Sequence, residues 1–307
     1  MSRNDAYALG ERFTAELGRF ERPLFLLAHH DDEIPTAGLL QRLGPAKQVL
    51  WVTNSDGLYY ESKMTPPEYG EMRKAEGVRS VAHAGVAPSA IRCLDVSEVE
   101  TYRWMSRVNS GASPLAEALP YFRAIRDRVR DAVMEIRPDA VFTLAWQGGN
   151  PEHDITHVCA KMAVDALGRA TGQRPAFFHM PAYEYLILIA MRFHPLYRGP
   201  RIRLRLTPAE LAAKQAMMQE YPSQVRLFGD FQKVFRLIGR FAFLGAPRDA
   251  EQYVSVEEFG PVPAIDYARK PHAFDYFTYM FDDFEGVPVT FSRAVGPICQ
   301  GLLADAP

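Results

Sequence analysis

Phe25-Leu26-Leu27-Ala28-His29-His30-Asp31-Asp32-Glu33 is the stretch whose reading decides the fold. A short apolar run behind Pro23 empties into two histidines and three carboxylates, and a helical pattern of Ile34, Leu39, Leu40 and Leu43 follows at once. This is the pattern of a buried strand that ends in a site. In a parallel α/β sheet, ligands collect at the carboxyl ends of strands, where side chains reach into a crevice and the strand behind them is rigid.

Working outward, the segment from about Asp5 to Leu17 predicts a leading helix, and Gln48 to Thr53 a second strand that ends in Asn54-Ser55-Asp56-Gly57. Pro66-Pro67 opens a long helix closing at Gly85, and Ala90 to Leu94 predicts a third strand ending at Asp95. After a looser stretch containing Trp104, a helix from about Leu115 to Arg137 precedes a fourth strand, Ala140 to Ala145. That strand empties into Trp146-Gln147-Gly148-Gly149-Asn150-Pro151-Glu152-His153. Asp154 to Arg169 then predicts a helix with His153 and His157 one turn apart. Strands alternating with helices imply a mostly parallel sheet flanked by helices, an α/β fold.

Beyond Gly172 the pattern is less regular. It predicts strands at Tyr183 to Ile189 and Arg201 to Leu206, a helix from Pro208 to Tyr221 and a helical stretch from Val225 to Leu244. No linker separates these parts. The expected organisation is one domain over 1–307, with a core over 1–172 and a C-terminal extension over 173–307 that caps the sheet or extends it and contributes to the pocket.

Composition narrows the function. With 307 residues, 48% hydrophobic and 23% charged, the chain can bury a large core. A formal charge of −2 and a pI near 6.5 give no global footprint for nucleic acid or an anionic membrane. The N-terminal stretch has no apolar signal core, and the greasy run near Leu186 to Met191 is too short to span a bilayer. A cytoplasmic location is expected, with a homo-oligomer left open. Cys93, Cys159 and Cys299 are widely spaced and form no CxxC pair, so buried reduced thiols are expected.

The chemistry-bearing residues suggest a metal. His29, Asp32 and His153 together offer two imidazole nitrogens and one carboxylate oxygen, a set that suits catalytic Zn²⁺ and also Fe²⁺ or another divalent transition ion. Asp31, next to a candidate ligand, is available to take a proton from water. The same residues have structural uses. A strand-end histidine is often a hydrogen-bonded core ring, and an Asp-Asp-Glu run at a helix start is stabilised by the helix dipole. Trp146, just before the second cluster, can stack on a sugar, as can Tyr59, Tyr60 and Trp104 on neighbouring loops, although a core position serves each of them equally well.

Ala28-His29-His30-Asp31-Asp32-Glu33 and Asn150-Pro151-Glu152-His153 resemble the two motifs of the LmbE-like, or PIG-L-like, zinc-dependent N-deacetylases. These read Ala-His-Pro-Asp-Asp-Glu after the first strand and His-Pro-Asp-His after the fourth. Secondary similarities are Arg73-Lys74-Ala75-Glu76, Asp95, Lys214 with Ser223-Gln224, and Glu251-Gln252-Tyr253. The resemblance implies a Rossmann-like sheet, a zinc bound by His29, Asp32 and His153, Asp31 as general base, and substrate contacts from Arg73 and Asp95. The implied reaction is hydrolysis of an amide, an N-acetyl group on an amino sugar or sugar-containing metabolite.

Two departures stand out. His30 replaces a proline, which frees a backbone N–H and adds a titratable ring. Asn150 stands where the family has a histidine. It can donate a hydrogen bond to an oxyanion but delivers no proton at neutral pH. His30, His157, Glu152 and Asp31 itself, carrying the proton both ways, are the candidates for that proton, and a non-hydrolytic metal- and sugar-binding protein is the alternative function. A nucleotide-sugar transferase with Mg²⁺ on Asp31 and Asp32 would leave His29 and His153 without a use.

Two further segments carry charge. Arg192, Arg198, Arg201, Arg203 and Arg205 crowd one region, as an anion grip or as a charged edge strand. The stretch from Val225, with Arg226, Lys233, Arg236 and Arg240, is amphipathic and suits either a core-facing helix or a membrane surface.

Overall fold

The computed structural model describes residues 3–184, 189–193, 197–240, 250–271, 279 and 283–305. Five strands, β1 (Pro23–Leu27), β2 (Gln48–Thr53), β3 (Ile91–Val96), β4 (Ala140–Leu144) and β5 (Ala176–Met180), run parallel in the order β3-β2-β1-β4-β5. The short pair β6 (Tyr183–Glu184) and β7 (Ile189–Ala190) stands apart. The C-terminal part extends the main sheet with β8 (Ile202–Arg205) and β9 (Val256–Pro261). β9 lies antiparallel to β5, and β8 lies antiparallel to β9 at the edge. A small hairpin, β10 (Asp283–Phe284) with β11 (Val287–Pro288), completes the described strands.

The helices are α1 (Arg3–Glu16), α2 (Ala37–Arg42), α3 (Pro66–His83), α4 (Glu98–Ser110), α5 (Leu115–Ile136), α6 (Pro151–Thr171), α7 (Pro208–Gln219), α8 (Val225–Gly239), α9 (Ala250–Val254) and α10 (Gly296–Ala304). Alternate residues of each central strand feed opposite faces. Leu24 and Leu26 join a core with α4, α5, α6 and α10, whereas Phe25 and Leu27 join one with α1, α2 and α7. On the second face Phe142 stacks between Phe25 and Phe178, with centroids 5.2 and 4.8 Å away.

The expected α/β architecture is present. The order of connection reverses between β1 and β4, and the crevice beyond their carboxyl ends is where such a sheet holds a ligand. The residues after β1 are the His29 cluster, and those after β4 lead to His153.

Three expectations change. The stretch around Trp104 is helical, because Ser97 caps α4 by accepting from the Glu100 N–H at 3.2 Å and Gly111 ends it at a φ of 79°. The helix after β4 begins at Pro151 rather than Asp154, with Asn150 as its cap. The predicted strand from Tyr183 to Ile189 is the β6/β7 pair, with 185–188 outside the described residues, as are 241–244 of the Val225 to Leu244 stretch.

The arginine-rich strand β8 is an edge strand whose cations meet protein partners. Arg203 pairs with Glu258 at 2.7 Å, while Arg201 and Arg205 lie over the rings of Tyr197 and Tyr7. Arg192 lies over Tyr253.

Glu257, on β9, fastens the C-terminal part to the core. It accepts from the N–H groups of Gly38 and Leu39 at 2.8 and 2.9 Å and pairs with Lys214 at 2.8 Å, with both charged side chains fully buried. Lys214→Met is expected to destabilise the protein by about 3–5 kcal/mol, because it strands a buried carboxylate. Urea unfolding measures it, and Lys214→Met with Glu257→Gln should recover part of the loss. A single variant as stable as the parent would remove this role.

Candidate metal centre

β1 delivers His29 directly into the crevice, and a turn closed by Asp32 N–H to His29 C=O at 3.3 Å brings Asp32 back beneath it. Asp32 Oδ2 accepts from the His29 backbone N–H at 2.6 Å. His153, in the first turn of α6, arrives from the other side of the switch point. His29 Nδ1 faces His153 Nε2 at 3.1 Å, Asp32 Oδ1 lies 3.1 Å from His153 Nε2, and Asp32 Oδ2 lies 3.4 Å from His29 Nδ1. The structure therefore brings together the three residues predicted as ligands.

Those separations test the fit of a metal. Nitrogen and oxygen ligands about 2.0–2.2 Å from a tetrahedral zinc stand about 3.4 Å apart, close to each of these edges. The donor chemistry agrees. The other nitrogen of His29, Nε2, lies 2.8 Å from Glu152 Oε2, a partner that with the proton on Nε2 leaves the Nδ1 lone pair facing the cluster. A lone pair, a carboxylate and a second imidazole facing one point need a positive charge there. The shifts show the same pull. Burial opposes charging His29, but Glu98 and Asp32 outweigh it and raise its pKa well above the ordinary value. Asp32 is held well below the carboxylate range because His153 and His29 outweigh its burial.

Asp31 projects differently. Its φ of 120° is a conformation that L residues seldom adopt, and such strain concentrates at functional sites. Arg73, on α3, donates to Asp31 Oδ2 at 2.9 Å and also to the carbonyl of His30. Arg73 is itself anchored by Glu76 at 3.1 Å and Ser223 at 3.2 Å, and it lies over Tyr221. Burial, opposed by Arg73, pushes the Asp31 pKa up to about 7. Glu33, the last residue of the motif, is structural, with Ser80 and Tyr221 donating to its Oε1 at 2.8 and 2.5 Å.

The other predicted site residues are placed elsewhere. Asn150 caps α6, its Oδ1 accepting from Glu152 N–H at 2.8 Å and His153 N–H at 3.1 Å, while its Nδ2 donates to Tyr102 Oη at 3.4 Å. Asp95 is half exposed and pairs with Lys74 at 2.7 Å. Trp146, partly buried, packs edge-on against Tyr267 and Phe291 at the margin of the core. Tyr60 is exposed, and Trp104 lies beside Tyr121.

His30 turns away from the centre. Its ring is bound to Ser55 Oγ at 2.9 Å and packed on Trp51. His157 is a core residue, donating from Nδ1 to Leu144 C=O at 2.7 Å and accepting at Nε2 from Tyr267 Oη at 2.9 Å. Both rings are engaged by protein partners outside the His29, Asp32 and His153 triangle.

Burial lowers the His157 pKa to about 4, against an ordinary value of 6.5. Between those values the unfolded chain binds the extra proton, so stability is lost as pH falls. From pH 7.5 to pH 5 the loss from this ring is about 2 kcal/mol. Urea unfolding at the two pH values should show that loss reduced in His157→Gln. A variant that keeps the whole of it would show that the ring is not held neutral.

Two carboxylates flank the triangle: Glu152, which the sequence offers only as a titratable neighbour within the second motif, and Glu98, which it does not single out. Glu152 is buried, with its Oε2 on His29, and Glu98, at the start of α4, places Oε1 3.8 Å from the same Nε2. Burial and the neighbouring Glu98 raise the Glu152 pKa to about 8. The Asn150-Pro151 and Ser97-Glu98 pairs are helix-start signals that mark both positions.

Residues 24–164, from β1 into α6, match the family model described as PIG-L: GlcNAc-PI de-N-acetylase. The chain matches no curated protein. Among solved structures, its fold is similar to that of a deacetylase from the teicoplanin biosynthesis pathway, in its bog complex. The two are 19% identical, with 80% of this chain and 99% of that chain covered and a TM-score of 0.55. It is also similar to that of the A40926 pseudoaglycone deacetylase, at 17% identity over the same shares and a TM-score of 0.51. At these identities the likeness is one of fold. Among the described residues no helix is long and apolar enough to cross a membrane.

Proposed function

We propose that this chain, whose residues 24–164 form a PIG-L family domain, is a divalent-metal-dependent hydrolase that removes an N-acyl group, most simply acetyl, from an amino sugar or sugar-containing small molecule. The observation that carries this reading is the triangle of His29, Asp32 and His153 at tetrahedral edge lengths, beside a strained carboxylate that is not part of it. When bound, a divalent ion such as Zn²⁺ or Fe²⁺ supplies Lewis acidity and lowers the pKa of water toward neutrality.

The chain's own residues supply the proton transfers. Arg73 fixes Asp31 through Oδ2, and among the described residues Oδ1 has no partner, so Oδ1 takes the proton of the attacking water. A carboxyl with a pKa near 7 can return that proton to the departing amine nitrogen. Asn150 takes no part in that transfer, since its amide is engaged on both sides. Arg73 is thus a positioning residue for the base rather than a substrate contact.

The engagement of Asn150 also supports the second reading, a protein that keeps metal and pocket without hydrolysis. One experiment separates the two: metal analysis of protein purified without added metal, with a screen for amine release from N-acetylated sugars and thiol-sugar conjugates. About one tightly held ion and turnover of one such amide support the hydrolase. Metal without turnover across the panel supports the binding protein, and absence of metal ends both.

A further inference from the structure

We propose that His29 Nε2, Glu98 and Glu152 form a second divalent-cation site that shares the His29 imidazole with the first. One atom each from His29, Glu98 and Glu152 lies within 4.8 Å of the others, on the side of the ring opposite Asp32 and His153. Glu152 Oε2 is 2.8 Å and Glu98 Oε1 3.8 Å from Nε2. The inference rests on the reading of His29 as a ligand of the first ion.

A pair of acidic side chains would not carry this by itself. Glu152 Oε1 adds to it: among the described residues this buried oxygen, on a residue only 2% exposed, has no hydrogen-bond partner. An orphaned oxygen in a packed interior is costly, and the second oxygen of a carboxylate already facing the cluster can close on a cation. Among the described residues no lysine or arginine pairs with Glu98 or Glu152, so His29 is their one cationic neighbour in the ion-pair pattern. Glu98 is prepared as well. Its Oε2 accepts from the Gly57 N–H at 3.0 Å, and a Cβ on Gly57 would come within 2.4 Å of the Glu98 carboxyl carbon, so a glycine permits the approach. The Glu98 side chain is 15% exposed and is the member with room to tighten onto an ion.

One imidazole with two carboxylates suits a borderline ion such as Zn²⁺ or Cu²⁺. Binding breaks the Nε2–H bond, releases that proton to solvent and forms a bond from the nitrogen lone pair to the incoming ion. His29 becomes a bridging imidazolate, and no redox change is needed.

The test starts from holoprotein carrying one zinc and raises free Zn²⁺, counting bound metal and following the heat and buffer dependence of binding. We expect a second, weaker equivalent whose uptake releases one to two protons, that of His29 Nε2 and that of Glu152 wherever its carboxyl is still protonated. Glu98→Gln and Glu152→Gln should each weaken it at least about tenfold, on the scale of a lost metal partner, while the first equivalent stays. With Cu²⁺ at both positions the imidazolate couples the spins, so the second equivalent should lower the electron paramagnetic resonance signal. Saturation at one zinc up to millimolar free metal, or a second equivalent that both variants bind as tightly as the parent, overturns the proposal. The wild-type proton release and copper signal decide it even where a variant misfolds. Amine release by the one-zinc form tests the hydrolase reading separately, so the two can fail independently.

Discussion

Asp31→Asn is expected to lower kcat at least about a hundredfold on any amide the protein turns over, while the metal content stays the same. Asparagine matches aspartate in shape and backbone preference, so it adds no strain at this positive φ and the turn after β1 should survive. Arg73 keeps its bonds to the His30 carbonyl, Glu76 and Ser223, so the network beneath the site does not collapse. What disappears is the capacity of Oδ1 to take and return a proton. The measurement is single-substrate kinetics beside metal analysis of the same preparation. A variant that loses its metal but works once metal is restored would make Asp31 a support of the metal rather than the base.

The metal triangle was legible because both halves sit where strand patterns end. Phe25 to Ala28 and Ala140 to Ala145 are apolar runs that stop at polar groups, and two such ends meet in a parallel sheet wherever the strand order reverses. Their neighbours were harder to read. Glu98 reaches His29 because Ser97 caps α4 just before it, in a stretch where Thr101, Ser106 and Asn109 are buried beside Val99, Tyr102 and Met105. Those polar residues on the inner face blur the apolar period of the helix. Strand β9 was missed for a related reason. Glu257 and Glu258 break its apolar run, yet both are buried, neutralised by Lys214 and Arg203 from distant segments. A sequence shows a charge but not the partner that permits its burial. Trp146 and His157 show the converse. Next to a motif they look functional, but a side chain's target depends on the local turn of the backbone, and here both turn into the core around Tyr267.

His153→Ala should release the first metal ion and lower turnover by at least about a thousandfold, since Lewis-acid catalysis is worth several kcal/mol and each 1.36 kcal/mol is tenfold. Two protein donors, His29 Nδ1 and Asp32, would remain where a catalytic zinc site needs three. The fold should tolerate the change better than most buried deletions. Asp32 keeps the His29 backbone N–H at 2.6 Å, and His29 keeps Glu152 at 2.8 Å, so neither is left without a partner. The main packing loss is the ring of Tyr183, which lies parallel to His153 with centroids 5.4 Å apart. The space opened is the size of an imidazole and faces the two remaining donors. Added imidazole should therefore restore part of both metal content and turnover, whereas a merely structural defect would not respond to it. Metal analysis and kinetics with and without imidazole make the measurement. A folded His153→Ala protein that keeps its zinc and its rate would remove His153 from the centre and, with it, the metal site on which the hydrolase reading stands.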